Sequence, residues 1–397
     1  MRCWLWMMAL LAALLLAAIT LLLVFGALRD PTRSAHGMLG SALWTTFGPH
    51  LALVSWLAAG LALLGFRQGF RRLALPALVL SFVAGLGSTA ITLRIVSAAA
   101  AAGGSVNPMT GLWLRSMSSG GPDAVEVFVT RGDLPLRMAI YRPPPSAQPA
   151  PVLLYIHGGG FMTGSFVETD ADLRWFAQRG WLVFSAEYRL FTQQVPSWDL
   201  APRDVACAAA WVNAHAAHYG GDGQRLAILG DSAGGNLAIN LAYAAAQGQL
   251  RADCGGVVPR PQAVVVQYPA LDPMAIYEHG FPVPGFEPTM LVRGYIGGDP
   301  ADFPERIAAV RSSTFISATA PPTLIIEPEK DGLVPAWSVY DFVGQARAAG
   351  VEVELVRIPF ANHVYNQLAA GSLGNQARLT ITQRFLNEQG LAPLPGR

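Results

Sequence analysis

The chain has 397 residues, 52% of them hydrophobic and 13% charged, and its mean hydropathy of +0.36 is too high for an ordinary soluble enzyme of that length. The net charge of +1 is unevenly distributed, residues 1–102 carrying +6 and the remainder −5. The larger part therefore lacks the basic face that phosphate binding needs, which excludes nucleic acid as a partner.

The apolar excess sits at the N-terminus. Trp4 to Leu28 is free of charge and exceeds the roughly 20 residues that cross a bilayer as a helix. It is too long for the apolar core of a signal peptide and has no small-x-small cleavage site, so it reads as a retained span. A second span is predicted from Leu43 to Phe66, around Pro49 and His50, and a third from Leu73 to Val96. Residues 1–102 are thus expected to anchor the chain in a lipid bilayer, the inner membrane of a bacterium. With three spans, Arg2, Arg67, Arg71 and Arg72 lie on one side and Arg29, Arg33 and Arg94 on the other, a narrow excess that puts the N-terminus inside and everything after the third span outside.

Ala98 to Gly121 is rich in Ala, Gly and Ser, and residues 103–122 read as a linker to a domain over 123–397. Every later motif follows Asp123, so anchor and chemistry are expected to be separable. Val125–Thr130 and Leu136–Tyr141 read as a hairpin turning at Arg131-Gly132-Asp133. Strand and helix patterns then alternate: strands at Val152–Ile156, Trp181–Ala186, Leu226–Gly230, Gln262–Tyr268, Thr323–Glu327 and Val351–Ile358, with helices at Asp170–Arg179, Asp199–Tyr219 and Trp337–Ala349. Such alternation predicts an α/β domain with a mostly parallel sheet covered on both faces, its site at the carboxyl ends of the strands. Cys3, Cys207 and Cys254 have neither a disulfide framework nor metal-ligand spacing and are expected to be plain thiols; no metal and no cofactor are implied.

Two stretches carry chemistry. Gly230-Asp231-Ser232-Ala233-Gly234-Gly235 joins an apolar strand to a helical pattern, and its small residues allow the sharp turn of a nucleophile elbow, with Ser232 at a helix N-terminus. His157-Gly158-Gly159-Gly160-Phe161 leaves a buried strand with bare backbone N–H groups that can approach an oxyanion. His157 is expected to brace this loop rather than to react.

With that loop about 75 residues ahead of the elbow, the chain from Val125 onward resembles the α/β-hydrolases of the hormone-sensitive-lipase type and the related acetylesterases. The resemblance implies an oxyanion hole from Gly159, Gly160 and Ala233. It also implies the chain order serine, acid, histidine. His363 is the one histidine after the last predicted strand and takes the place of the base. For the acid, Glu327, Glu329 and Asp331 all follow the strand Thr323–Ile326; Asp331 precedes the Leu333-Val334 pair as the family's aspartate does, while Glu327 stays a candidate. Glu187-Tyr188-Arg189-Leu190 looks like the family's segment after the fourth strand, but Phe191-Thr192 replaces the usual Ala-Pro, a departure that reshapes one wall of the site.

The expected function is a membrane-anchored serine carboxylesterase acting on short-acyl or acetyl esters through an acyl-enzyme, with Ser232, Asp331 and His363 as the triad. A lipase or methylesterase acting on lipid-linked esters, and a non-catalytic hydrolase-fold binding protein, stay open as alternatives. The insertion Asp272–Thr314 is expected to roof the pocket. Phe161, Phe281, Phe286, Met290 and Tyr295 are candidates for its apolar lining.

Overall fold

Charge-free sequence over 25 residues folds as the helix α1 (Arg2–Ala27), the first element of the computed structural model, which describes residues 2–31, 33–248, 250–283 and 285–394. The outermost ends of the expected anchor and domain, residue 1 and residues 395–397, lie outside these. The described chain divides into two units. One comprises Met1–Arg115 with Pro328–Gly332 and Ile358–Thr380; the other comprises Ser116–Glu327, Leu333–Arg357 and Ile381–Arg397.

In the first unit, α1 is followed by a short α2 (Ala35–Ala42), then α3 (Trp44–Arg67) and α4 (Arg71–Ala101). Among the described residues α1, α3 and α4 are long and apolar enough to cross a membrane. Alanines are prominent in their contacts, Ala13, Ala58, Ala62, Ala74 and Ala77 packing around the buried Leu10, while Leu15, Leu22 and Leu57 are more than half exposed. This inversion of the soluble pattern suits helices that face lipid. No periodic signal announces α2. Its N-terminus is held by Ser34, whose hydroxyl accepts from the Gly37 N–H at 3.0 Å, and a Cβ at Gly40 would lie 2.2 Å from the backbone of Gly26, so α2 forms by packing directly on α1.

The stretch read as a linker is tied down over its first half. The Ser105 N–H donates to Thr380 Oγ1 at 2.9 Å, the Asn107 N–H to Gln376 Oε1 at 2.8 Å, and Arg115 and Ala370 exchange two backbone hydrogen bonds of 3.0 Å. Gly and Ser composition signals missing helix propensity, not missing partners.

The second unit opens on the hairpin β1 (Ala124–Arg131) and β2 (Leu134–Tyr141). Next come β3 (Ala150–Ile156), α5 (Asp170–Ala177), β4 (Leu182–Ala186), α6 (Leu200–His215), β5 (Gly221–Asp231), α7 (Ala233–Ala246) and β6 (Ala263–Gln267). The insertion folds as α8 (Pro273–His279), α9 (Pro288–Ile296) and α10 (Pro304–Val310). The chain closes with β7 (Thr323–Pro328), α11 (Ala336–Ala348), β8 (Val353–Ile358) and α12 (Leu373–Leu386). The sheet order is β1-β2-β4-β3-β5-β6-β7-β8, antiparallel where β2 meets β1 and β4. β4-β3-β5-β6-β7 pair in parallel, and β3, β4, β6 and β7 are buried along their whole length, as a sheet covered on both faces requires.

One expectation is overturned. Cys207 on α6 and Cys254 are joined in a disulfide, their Cα atoms 6.0 Å apart, and only Cys3 is a free thiol. The two lie 47 residues apart with no motif between them, so only the packing of α6 brings them together.

Candidate active site

Ser232 sits at the turn from β5 into α7 with φ +54° and ψ −118°, a conformation a side chain adopts only when its surroundings hold it there. Three contacts do so. The Ser232 N–H donates to the Gln267 carbonyl at 2.9 Å, and the Ser232 carbonyl accepts from Asn236 and Ala270, each at 3.1 Å. Neighbouring glycines are required by space: a Cβ at Gly230 would lie 2.3 Å from the Gly234 carbonyl oxygen, and one at Gly234 2.2 Å from that of Ile156. Asn236, which sequence reasoning passed over, is fully buried and donates to the carbonyls of Ala270 (3.0 Å) and Val310 (2.8 Å), fixing the segment after β6 against α7. An Asn one turn into an apolar helix was the available signal.

The glycine loop after β3 faces this turn, a Cβ at Gly158 lying 3.4 Å from that of Ser232. Gly159 and Gly160 have φ of +108° and +62°, and a Cβ at Gly159 would lie 2.1 Å from the Thr163 carbonyl oxygen. His157 braces the loop as expected. Its Nδ1 donates to the Gly158 carbonyl at 2.7 Å, its ring stacks on Tyr188 with centroids 4.4 Å apart, and the Tyr188 hydroxyl donates to the His157 carbonyl at 2.9 Å. Burial pushes the His157 imidazole down to about 4, so it stays neutral at ordinary pH.

Beside Ser232 lies a narrow apolar slot whose water-accessible volume is about 30 Å³, lined by Gly160, Phe161, Ala233, Ala270, Pro273, Ile276, Leu291, Val292, Tyr295, Leu333 and Val334. Of the five expected lining residues, Phe161 and Tyr295 are there, their rings stacked 3.6 Å apart. Phe281, Phe286 and Met290 are not among the residues that line it. For Met290 the reason is helical phase. Pro288, Leu291, Val292 and Tyr295 form the buried stripe of α9 at spacings of three and four, and Met290 falls off that stripe into a separate surface cavity with Met162 and Phe191. Choosing residues by size rather than by period missed Leu291 and Val292. Phe191, the departure from Ala-Pro, is buried against Gly294 of α9, where a Cβ would lie 2.1 Å from its ring.

Asp331 and His363 belong to the first unit, Ser232 and the slot to the second. Asp331 is buried just after β7, and its Oδ2 lies 2.7 Å from Nδ1 of His363. Glu329 is exposed, and Glu327 is buried within β7. The loops carrying the pair are joined through backbone bonds from Glu329 to Ile358 (3.0 Å) and from Lys330 to Ala361 (2.9 Å). Asn362 completes the clasp: its Oδ1 accepts from the N–H of Gly332 at 2.9 Å and of His363 at 2.7 Å. Asn362 was not singled out from the sequence, although it adjoins His363.

A strained serine elbow on a mostly parallel sheet, faced by a glycine loop, defines an α/β-hydrolase of the hormone-sensitive-lipase type. Residues 138–343 match the BD-FAE family, and the chain belongs to that family. It is 28% identical over 250 residues to the probable carboxylic ester hydrolase LipM of Mycobacterium tuberculosis, covering 60% of this chain and 54% of LipM. It is 32% identical over 264 residues to the ethyl acetate hydrolase of Pseudomonas putida, covering 63% of this chain and 78% of that protein. The chain spans little more than half the length of the mycobacterial relatives LipM, LipC and LipQ. The butyrate-bound esterase 2 of Thermogutta terrifontis superposes with a TM-score of 0.57 at 27% identity, covering 70% of this chain and 97% of that one.

Proposed function

We infer that the protein is a membrane-anchored serine carboxylester hydrolase for esters with short acyl groups. The observation that carries the reading is Ser232 held at positive φ beside the apolar slot, with the Gly159-Gly160 loop against it. In this reading Ser232 Oγ attacks the ester carbonyl and passes its proton to Nε2 of His363, whose Nδ1 proton is held by Asp331. The N–H groups of Gly159, Gly160 and Ala233 meet the oxyanion. Collapse expels the alcohol, which takes the proton from His363; water then attacks the acyl-enzyme with His363 as base and releases the carboxylic acid. The small slot supports an acetyl to butyryl group, as do the ethyl acetate of one relative's name and the butyrate of the structural neighbour.

Residues 1–102 act as the anchor and the residues after α4 face outward. Two observations support this topology. Lys330 and Asn362 bond to Arg29 and Ser41 of the α1–α3 connection, as an odd number of spans requires, and the Cys207–Cys254 disulfide suits an oxidising compartment. An acetyl or methyl ester carried by a lipid fits both slot and anchor and is the second reading.

The test is a purified full-length sample in detergent assayed on p-nitrophenyl acetate, butyrate, octanoate and palmitate, with a fluorophosphonate probe and Ser232→Ala as control. Turnover falling with chain length and label on Ser232 alone is the expected result; no label on Ser232 would rule the reading out, and a preference for palmitate would move it to a lipase.

A further inference from the structure

We propose that the connection between the first two membrane helices is a working part of the active site, with Ser41 of α2 a positioning residue for the Asp331–His363 pair through Asn362. This rests on the triad reading above and adds a residue to it.

Asn362 is 3% exposed and spends all its hydrogen-bonding capacity locally. Its Oδ1 takes both loop N–H groups, those of Gly332 and His363, the residues immediately after Asp331 and at the imidazole itself. Its Nδ2 donates to Ser41 Oγ at 2.7 Å, and Ser41, fully buried, donates in turn to the Gly37 carbonyl of α2 at 2.8 Å. The amide's plane, and with it the separation of the two loops, is therefore set from the membrane segment, by the Ser41 hydroxyl and by Met38, whose Sδ lies 3.3 Å from Nδ2.

Three further contacts come from the same segment. A Cβ at Gly332 would lie 2.2 Å from Met38 Sδ, so Met38 of α2 closes over the acid loop. Thr45 of α3 donates its hydroxyl to the Tyr365 carbonyl at 2.8 Å, two residues past His363, and Lys330 Nζ donates to the Arg29 carbonyl at 3.2 Å. The backbone on either side of His363 is strained, Phe360 and Val364 both having φ of +56°. Acid and base are thus gripped by residues 29–45, and a shift of either loop costs rate because proton transfer needs near-ångström alignment.

The test is kinetic, on the full-length enzyme in detergent with p-nitrophenyl butyrate. Ser41→Ala should lower kcat ~10-fold and Asn362→Ala ~100-fold, with KM changed less than twofold and fluorophosphonate still able to label Ser232, more slowly. A double-mutant cycle separates positioning from general support of the fold. In an Asp331→Asn background Ser41→Ala should cost less than twofold more, since the pair it positions is already disabled. Full additivity, with melting temperatures within a few degrees of each other, would overturn the proposal, as would Ser41→Ala and Asn362→Ala at wild-type kcat. Should the wild type fail to turn over any ester and Ser232 fail to label, the triad reading falls and this inference with it; an active wild type with unaffected variants sinks this inference alone.

Discussion

Nδ1 of His363 and Oδ2 of Asp331 lie 2.7 Å apart, with the Asp331 side chain fully removed from solvent. A carboxylate so placed fixes the proton on Nδ1 and leaves Nε2 as the basic nitrogen. Asp331→Asn should therefore reduce kcat by a factor on the order of 10⁴, by analogy with other triads. Glu329→Gln, at an exposed position, should stay within twofold; steady-state kinetics on p-nitrophenyl butyrate decide between the two carboxylates.

His157 gives the fold a pH dependence. Its folded-state value is depressed to about 4 from the 6.5 of an exposed histidine, so below pH 6.5 the unfolded chain binds a proton that the folded chain refuses. Stability from this group is complete above pH 6.5 and is lost as pH falls toward 4, by about 2 kcal/mol between pH 6.5 and pH 5. Thermal melts should show a steeper fall over that range for the wild type than for His157→Gln. Equal slopes would remove His157 as the cause.

The slot predicts a change of acyl preference. Leu291 lines it from the buried stripe of α9, and its Cδ2 stands 2.8 Å from where a Cβ on Gly160 would be. Leu291→Ala should raise the octanoate-to-acetate ratio of kcat/KM by ~10-fold, the size of effect one to two methylenes have in an apolar pocket. Gly160→Ala, which meets Leu291 and is strained at φ +62°, should lose most activity on every ester.

The disulfide is open to direct measurement. Of three cysteines only Cys3 should react with a thiol reagent in the unreduced, denatured protein, and all three after reduction. Closing a 47-residue loop contributes roughly 2–4 kcal/mol, so Cys207→Ala with Cys254→Ala should lower the melting temperature by several degrees. Three reactive thiols without reductant would contradict the pairing.

The helices of the first unit and the strands of the second were legible because each carries its own signal: unbroken apolar length for α1, α3 and α4, and short buried runs bounded by turn residues for β3, β4, β6 and β7. α2 was not, since Ala35–Ala42 has no amphipathic period and forms only against Gly26 of α1. Nor was the footing of Ser105–Arg115, whose partners lie some 270 residues away.

Ser232 between its glycines and the His157–Phe161 loop could be read from the chain alone, because a sharp turn and a close backbone approach admit few residue types and so leave a local imprint. The pairing of Cys207 with Cys254, the inward face of α9 that chose Leu291 over Met290, and the hold of Ser41 on Asn362 left none. Each depends on which distant segments meet, and a hydrogen bond between residues 321 positions apart is specified by packing rather than by any pattern along the sequence.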